Sequence, residues 1–162
     1  MDKTKIIQSK ILQSAELQKK LYLWRFKQQR IVFTNGCFDL LHRGHVHLLS
    51  HAAALGDVLI VGLNSDASVR QLKGSNRPLQ DEETRAWVLA SLFYVHAVVL
   101  FQEETPVELI KLIQPDVLVK GSDYKNRKIA GAEYVQQQGG RVEFVDLLPG
   151  YSTTALTQRI SG

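Results

Sequence analysis

"FTNGCFDLLHRGHVHLL", residues 33–49, places polar chemistry directly behind an apolar strand. The apolar run at 31–34 predicts a buried strand, and the stretch at 44–56 predicts a helix with an apolar face. Two histidines three residues apart, His42 and His45, lie at the junction between them. Because ligands bind at the carboxyl ends of the strands in a parallel sheet, this turn is the predicted binding site.

The alternation of strand and helix continues to the end of the chain. Further apolar strands are predicted at 57–64, 97–101, 116–121 and 141–147. Helices are predicted at 65–74, 81–94, 105–114, 131–140 and 152–160. Strands this apolar that alternate with helices indicate a parallel sheet covered on both faces. We therefore expect an α/β fold, a Rossmann-like three-layer sandwich with a five-stranded parallel sheet.

The composition is that of one globular domain. The chain has 162 residues, of which 44% are apolar and 22% charged. It has no run of about 18 apolar residues that predicts a membrane span, and its first residues lack the apolar stretch of a secretory signal. Because Cys37 is the only cysteine, no internal disulfide can form, which fits a reducing compartment. We expect a cytoplasmic protein with no membrane partner.

The net charge of +4 is concentrated at the N-terminus. Residues 1–30 hold eight basic and two acidic side chains, whereas the remainder holds twelve basic and fourteen acidic ones. We interpret 1–27 as an amphipathic helical arm that precedes the main domain, 28–162. This distribution argues against a broad nucleic-acid surface, and no nucleic-acid partner is expected. The alternative to an enzyme is a nucleotide-sensing or nucleic-acid-binding module, and the basic arm is the only feature of the sequence that favours it.

The turn at 35–45 has the chemistry of a phosphate site. Gly36 permits close backbone approach, and the helix that begins near Gly44 offers unpaired N–H groups and a partial positive charge. The imidazoles of His42 and His45 donate hydrogen bonds to phosphoryl oxygens. Together these groups would stabilise the charge that builds on a phosphorus during in-line displacement, and no covalent nucleophile is needed.

Three other interpretations compete for this turn. His47 and His51 enlarge the histidine cluster, but no cysteine pair or dedicated carboxylate joins them, so no metal site is predicted. A nicotinamide site needs G-x-G-x-x-G, whereas this turn has only Gly36 and Gly44. The plain structural alternative is that the histidines only cap and pack the helix.

Two signatures carry a family resemblance. "GCFDLLHRGH" at 36–45 resembles the G-x-F-D-x-x-H-x-G-H signature of the cytidylyltransferase-like (HxGH) nucleotidyltransferases, and "YSTTALTQRI" at 151–160 resembles their second. "VGLNSDASVRQLKGSNRPL", "ETRAWVLASL" and "DVLVKGSDY" are similar to the adenylyltransferase domain of the bifunctional enzyme of ADP-heptose synthesis. The similarity covers about 28–160, which implies a stand-alone transferase without the sugar-kinase domain.

The resemblance also implies residue roles. It gives catalytic roles at the nucleotide's phosphates to His42, His45 and Lys73, and a supporting role in the turn to Asp39. It implies nucleotide binding by Asn35, Gly36, Cys37, Phe38, Gly44, Lys120, Gly121, Asp123, Ser152, Thr153 and Thr154. It implies substrate binding by Asn64, Asp66, Arg77 and Arg85. Asp66 is equally a candidate helix cap, and Arg85 is a candidate tether for the loop before it.

The implied reaction is transfer of the adenylyl group of ATP to a sugar 1-phosphate, giving an ADP-sugar and pyrophosphate. D-glycero-β-D-manno-heptose 1-phosphate is the acceptor that the resemblance implies, for lipopolysaccharide or another surface glycan. Mg²⁺ would accompany ATP, held by phosphates and water, and a homodimer or higher homo-oligomer is expected. The alternative is CTP with glycerol 3-phosphate or an alditol phosphate, or ATP with a flavin or pantetheine phosphate.

The second signature departs from the family pattern in one respect. Several relatives carry a basic residue soon after the Ser/Thr cluster, whereas Ala155, Leu156 and Thr157 follow it here and Arg159 comes later. The cation that faces the γ-phosphate is therefore not identified by the motif.

Overall fold

The computed structural model describes residues 2–161, apart from the side chains at 154, 155, 160 and 161. The strands are β1 Ile31–Gly36, β2 Val58–Asn64, β3 Ala97–Phe101, β4 Val117–Gly121 and β5 Arg141–Val145. They form one sheet in the order β3-β2-β1-β4-β5, and every pairing is parallel. The expected five-stranded parallel sheet is confirmed.

Eight helices accompany these strands within the described residues. They are α1 Lys3–Gln8, α2 Ser14–Phe26, α3 Arg43–Ala53, α4 Asp66–Lys73, α5 Glu82–Ser91, α6 Val107–Ile113, α7 Ala132–Gln137 and α8 Thr153–Ser161, with a 3-10 turn at Ser122–Tyr124. No helix between residues 2 and 161 has the length and apolarity needed to cross a membrane.

Two hydrophobic layers cover the sheet, so the predicted three-layer sandwich is also confirmed. Successive residues of a strand point to opposite faces, and Val32 and Phe33 accordingly belong to different clusters. On one face β-strand side chains pack with Leu49 of α3 and Leu89 of α5. On the other face they pack with residues of α2, α6 and α7, such as Ile110. Every residue of β2 is buried, as its uninterrupted apolar sequence predicts.

The order of the strands fixes the position of the site. The chain runs outward from β1 to β2 and β3 on one side, and from β4 to β5 on the other. The switch point is therefore the pair β1–β4, where the Thr34 hydroxyl donates a 2.9 Å hydrogen bond to the Val119 carbonyl. The carboxyl ends of these two strands lie side by side, and the loops that follow them diverge and leave a crevice.

Helix boundaries differ from the sequence prediction mainly at the caps. Ser65 is the N-cap of α4, because its hydroxyl accepts from the Ser68 amide at 3.2 Å, so Asp66 is not the cap. Helix α6 starts at Val107, two residues later than predicted, with Pro106 in the cap position.

The N-terminal segment forms two helices instead of one continuous arm. Leu12 and Leu17 are buried against the sheet. The Leu12 amide donates to the Val98 carbonyl at 2.9 Å, and the Val98 amide donates to the Lys10 carbonyl at 2.8 Å, so this segment also hydrogen-bonds to the edge strand β3. These contacts attach the segment to the core of the main domain. The boundary between 1–27 and 28–162 as separate units stays a prediction.

The burial of α2 can be measured with two leucines of the same helix. Leu17 is 0% exposed and Leu23 is 53% exposed. We expect Leu17→Ala to lower the free energy of unfolding by about 2–4 kcal/mol, because it leaves a cavity in the core. Leu23→Ala should change it by less than about 1 kcal/mol. Equal effects of the two variants in denaturant titrations would mean that α2 is not packed on the sheet.

Candidate active site

His42 begins the active-site turn as the N-cap of α3. Its Nδ1 accepts from the backbone amides of Gly44, at 3.1 Å, and His45, at 3.4 Å. Burial lowers the pKa of His42. A neutral ring whose Nδ1 accepts carries its proton on Nε2, so Nε2–H is the donor left for a ligand. The sequence predicted an open helix terminus here, but two of its amides are engaged by the histidine itself.

His45 lies behind His42 in a mostly apolar setting. The two rings stack with centroids 3.8 Å apart and an angle of 20° between their planes. The ring of Phe38 meets His45 edge-on at 5.1 Å. Burial, helped by the neighbouring charges of His42 and Lys73 and opposed by the Leu40 backbone, lowers the pKa of His45 to about 4. His45 is therefore neutral at physiological pH.

The final turn of the chain lies against this first turn. A Cβ added to Gly44 would lie 3.0 Å from the His42 ring and 3.2 Å from the Cβ of Tyr151, so a side chain here would crowd both residues. Arg43 Nη1 donates to the Tyr151 hydroxyl at 3.3 Å. The two signature turns, more than 100 residues apart in the sequence, are thus in direct contact.

A cleft of ≈ 240 Å³ lies between these two turns, and we call it the histidine cleft. It is lined by Leu41, His42, Arg43, Gly150, Tyr151, Ser152, Leu156 and Arg159. Ser152 directly precedes α8, and Thr153 is the first residue of that helix. The side chain of Thr154, also predicted to bind phosphate, lies outside the described part of the chain.

A second cleft, of ≈ 390 Å³, opens at the carboxyl ends of β1, β2 and β4. Six predicted site residues line it: Asn35, Gly36, Cys37, Asn64, Lys73 and Lys120. The sequence interpretation missed Glu104, Thr105, Tyr124 and Lys128, which also line it. Tyr124 ends the stretch "DVLVKGSDY" and could have been found from that resemblance. Glu104, Thr105 and Lys128 come from loops without a motif, and only the strand order brings them here. Because Lys73, Lys120 and Lys128 all line this cleft, we call it the lysine cleft.

Lys120 is the most enclosed cation of the lysine cleft. Burial lowers its pKa to about 8, although Asp123 and Cys37 act in the opposite direction. Its Nζ donates to Asn35 Oδ1 at 2.5 Å and lies 5.3 Å from the centroid of the Tyr124 ring. The amide and the ring fix the position of the ammonium group, which is charged at neutral pH and faces the cleft.

Cys37 also lines the lysine cleft. Burial raises the pKa of its thiol. The thiol is therefore a small neutral wall of the site.

Asp39 holds the loop that carries Arg77. One carboxylate oxygen accepts from the amides of Leu79, at 2.7 Å, and Gln80, at 3.1 Å, while the other pairs with Arg77 at 2.9 Å. Burial opposes ionisation of Asp39, but the hydrogen bonds from Gln80, Arg77 and Leu79 outweigh it and hold its pKa below the usual value. Asp39 supports the turn, as the resemblance implies. The guanidinium of Arg77 is engaged in the ion pair with Asp39.

Arg85 is a buried tether. Its guanidinium donates to the carbonyls of Gln80 at 3.0 Å, Cys37 at 2.6 Å and Asn64 at 2.9 Å. It also pairs with Asp66 at 2.7 Å. Of the two roles predicted for Arg85, this geometry supports the tether. Neither Arg85 nor Asp66 lines either cleft, so substrate binding by these two residues finds no support here.

Four further predicted residues border the clefts without lining them: Phe38, Gly44, Gly121 and Asp123. Phe38 and Gly44 shape the histidine turn, as described above. Gly121 ends β4, and a Cβ there would lie 2.5 Å from Asp123 Oδ1. Their direct contact with a nucleotide stays a prediction.

Comparisons with known proteins agree with this geometry. A family model described as "Cytidylyltransferase-like" matches residues 33–158, which contain both signature turns. "Bifunctional protein HldE" of Nitrobacter hamburgensis is 54% identical over 156 residues, covering 96% of this chain and 32% of that protein. The protein of the same name from Acidiphilium cryptum is 58% identical over 137 residues, covering 85% and 28%. The chain thus spans about a third of the length of these curated relatives.

Two solved structures share the fold. The lipopolysaccharide core biosynthesis protein from Thermoplasma volcanium has a TM-score of 0.60 and 26% identity, covering 74% of this chain and 97% of that one. A pantoate-beta-alanine ligase from Francisella tularensis has a TM-score of 0.63, and the match covers 92% of this chain and 72% of the ligase chain. At 16% identity, the second likeness concerns the fold alone.

The pKa of His45 predicts a pH effect on stability. The unfolded chain binds a proton at this residue near pH 6.5, whereas the folded protein does so only near pH 4. The contribution of neutral His45 to stability should therefore be complete above pH 6.5 and be lost as the pH falls toward 4. We expect His45→Asn to reduce the slope of unfolding free energy against pH in this window. Identical slopes for the two proteins in denaturant titrations would contradict the assignment.

Proposed function

Because this chain belongs to the cytidylyltransferase-like family, and is a nucleotidyltransferase, we propose that it transfers the adenylyl group of ATP to a sugar 1-phosphate. The acceptor is D-glycero-β-D-manno-heptose 1-phosphate, and the ADP-sugar serves synthesis of lipopolysaccharide or a related surface glycan. The support for this acceptor is the resemblance of three stretches of the sequence, besides the two signatures, to the adenylyltransferase domain of ADP-heptose synthesis. The name of the Thermoplasma volcanium neighbour is in line with it.

The observation that carries the proposal is that two cationic clefts flank one turn. Residues 35–37 line the lysine cleft, and residues 41–43 of the same turn line the histidine cleft. The proposed reaction brings together two anions, a nucleoside triphosphate and a sugar phosphate. The triphosphate occupies the histidine cleft and the acceptor occupies the lysine cleft, so that the α-phosphorus lies at the turn between them.

The chemical step is an in-line displacement. An oxygen of the acceptor phosphate forms a bond to the α-phosphorus, and the bond from that phosphorus to the α,β-bridging oxygen breaks with its electron pair on pyrophosphate. His42 donates from Nε2–H to an oxygen on the α-phosphorus. Since this ring is neutral and held by two amides, it acts as a fixed donor and does not need to change its protonation state.

The lysine cleft positions the acceptor. Lys120 and Lys73 neutralise its phosphate, and Asn35 sets the direction of the Lys120 ammonium. Lys120 was predicted to bind the nucleotide, but its location in the lysine cleft favours the acceptor's phosphate. Holding two anions in reacting positions removes the cost of bringing them together in water, which accounts for much of the acceleration in such reactions.

Enzymes of this type generally use a divalent metal ion, and we propose that the ion is Mg²⁺. The residues described here include no group of three or more His, Cys, Asp or Glu placed to hold a metal. Asp39 and Asp66, two carboxylates near the turn, are paired with arginines. The chain therefore fits an ion that arrives with the triphosphate and is held by phosphates and water, which would neutralise phosphate charge.

A substrate panel tests the proposed function. We expect pyrophosphate release from ATP with D-glycero-β-D-manno-heptose 1-phosphate, and much less from CTP with glycerol 3-phosphate. His42→Asn should lower kcat by about 10²- to 10³-fold because a donor to the transition state is lost, with ATP binding retained. His51→Asn, at the exposed end of α3, should keep wild-type kcat. Turnover only with CTP, or wild-type kcat in His42→Asn, would overturn the proposal.

The same measurements decide the remaining alternatives. If the chain binds ATP but releases no pyrophosphate with any phosphate acceptor, the nucleotide-sensing alternative is favoured over the proposed reaction. The predicted homo-oligomer is tested separately by sedimentation of the full chain.

A further inference from the structure

Within the described part of the chain, two arginines of the histidine cleft form no ion pair with an acidic side chain. Among the described residues, the ion pairs include Arg77 with Asp39 and Arg85 with Asp66, but none that involves Arg43 or Arg159. Arg77 and Arg85 lie between β2 and β3, whereas Arg43 and Arg159 lie in the two signature stretches. Arg77 and Arg85 connect separate segments of the chain through their ion pairs. Arg43 and Arg159 both line the histidine cleft.

Arg43 is held in place by a neutral group. Its Nη1 donates to the Tyr151 hydroxyl at 3.3 Å, and its guanidinium carbon lies 5.5 Å from the centroid of the Tyr151 ring. A phenol accepts one N–H and stacks with the cation without cancelling its charge. The guanidinium therefore keeps further N–H donors for a ligand while it lies against the Tyr151 ring.

The location of Arg43 matches the needs of a leaving group. It is the first residue of α3 and directly follows His42, whose Nε2–H is the proposed donor to the α-phosphoryl group. Across the cleft stand Ser152 and Arg159 from the final turn and helix. A planar guanidinium binds two phosphoryl oxygens at once, which suits a diphosphate better than an ammonium does.

We propose that Arg43, assisted by Arg159 across the histidine cleft, binds the β- and γ-phosphates and then the pyrophosphate that leaves. This rests on the proposed function and identifies the cation that the second signature lacks. As the bond to the α-phosphorus breaks, the electron pair stays on the bridging oxygen of pyrophosphate. Arg43 stabilises that charge as a permanent cation and transfers no proton.

Direct binding of inorganic pyrophosphate tests this assignment. Titration calorimetry with pyrophosphate, with and without Mg²⁺, is carried out on the wild-type chain and on variants. We expect Arg43→Met to weaken binding by about 10- to 100-fold, the loss typical of charge-assisted hydrogen bonds. The pyrophosphate affinity of Arg43→Lys should lie between those of the wild type and Arg43→Met. Arg159→Met should weaken pyrophosphate binding less than Arg43→Met does.

Two control variants separate the site from general charge effects. Arg30→Met removes an exposed arginine at the opposite edge of the sheet, and it should bind pyrophosphate as the wild type does. Lys120→Met should raise KM for the acceptor and leave pyrophosphate affinity unchanged, because Lys120 belongs to the other cleft. Product inhibition should separate the two clefts in the same way. Arg43→Met should raise the inhibition constant of pyrophosphate and leave the KM for the acceptor unchanged.

The outcomes distinguish this site from the proposed reaction. Absence of pyrophosphate binding to the wild type, or unchanged affinity in Arg43→Met, overturns the site even if the enzyme transfers adenylyl groups. Pyrophosphate binding that depends on Arg43 in a chain without turnover supports the site and overturns the reaction. Thermal melting checks that each variant is folded, and if Arg43→Met is not, Arg43→Lys and Arg159→Met decide in the same way.

Discussion

The guanidinium of Arg85 carries a positive charge in the interior, and the active-site edge of the sheet is arranged around it. A buried charge is costly unless it is paired and hydrogen-bonded. Here the carbonyls of Cys37, Asn64 and Gln80 and the carboxylate of Asp66 satisfy it. Cys37 directly follows β1, Asn64 ends β2, Gln80 precedes α5 and Asp66 begins α4, so one side chain connects four segments. The turn that lies between the two clefts is attached to this network through the Cys37 carbonyl.

At the active-site edge of the sheet, acidic side chains and basic side chains have different roles. Carboxylates near the turn are used to hold arginines and backbone amides, as in the pair formed by Asp39 and Arg77. The cations that remain for ligands lie in the two clefts, with Lys120 enclosed in one and Arg43 stacked on Tyr151 in the other. A site built in this way binds polyanions on both sides of a neutral pair of histidines. This arrangement suits displacement at a phosphorus between two bound anions.

The sequence predicts most of the fold, because apolar strands that alternate with capped helices leave few arrangements. The turn after β1 indicates His42 as a cleft residue, and the family resemblance adds Ser152 and Lys73. It does not predict what depends on tertiary packing. The family resemblance implies two roles for Arg85, and only its complete burial decides in favour of the tether. The contact of Arg43 with Tyr151 joins residues 108 positions apart. No periodicity or local motif reports either property.

The central claim is that the first and the final turn bind one triphosphate. A crystal structure with the non-hydrolysable analogue α,β-methylene-ATP tests it most directly. The account predicts that the α-phosphoryl group lies within hydrogen-bond distance of His42 Nε2, with the β- and γ-phosphates between α3 and the start of α8. A triphosphate bound within the lysine cleft, or at the amino-terminal edge of the sheet, with the histidine cleft empty, would contradict it.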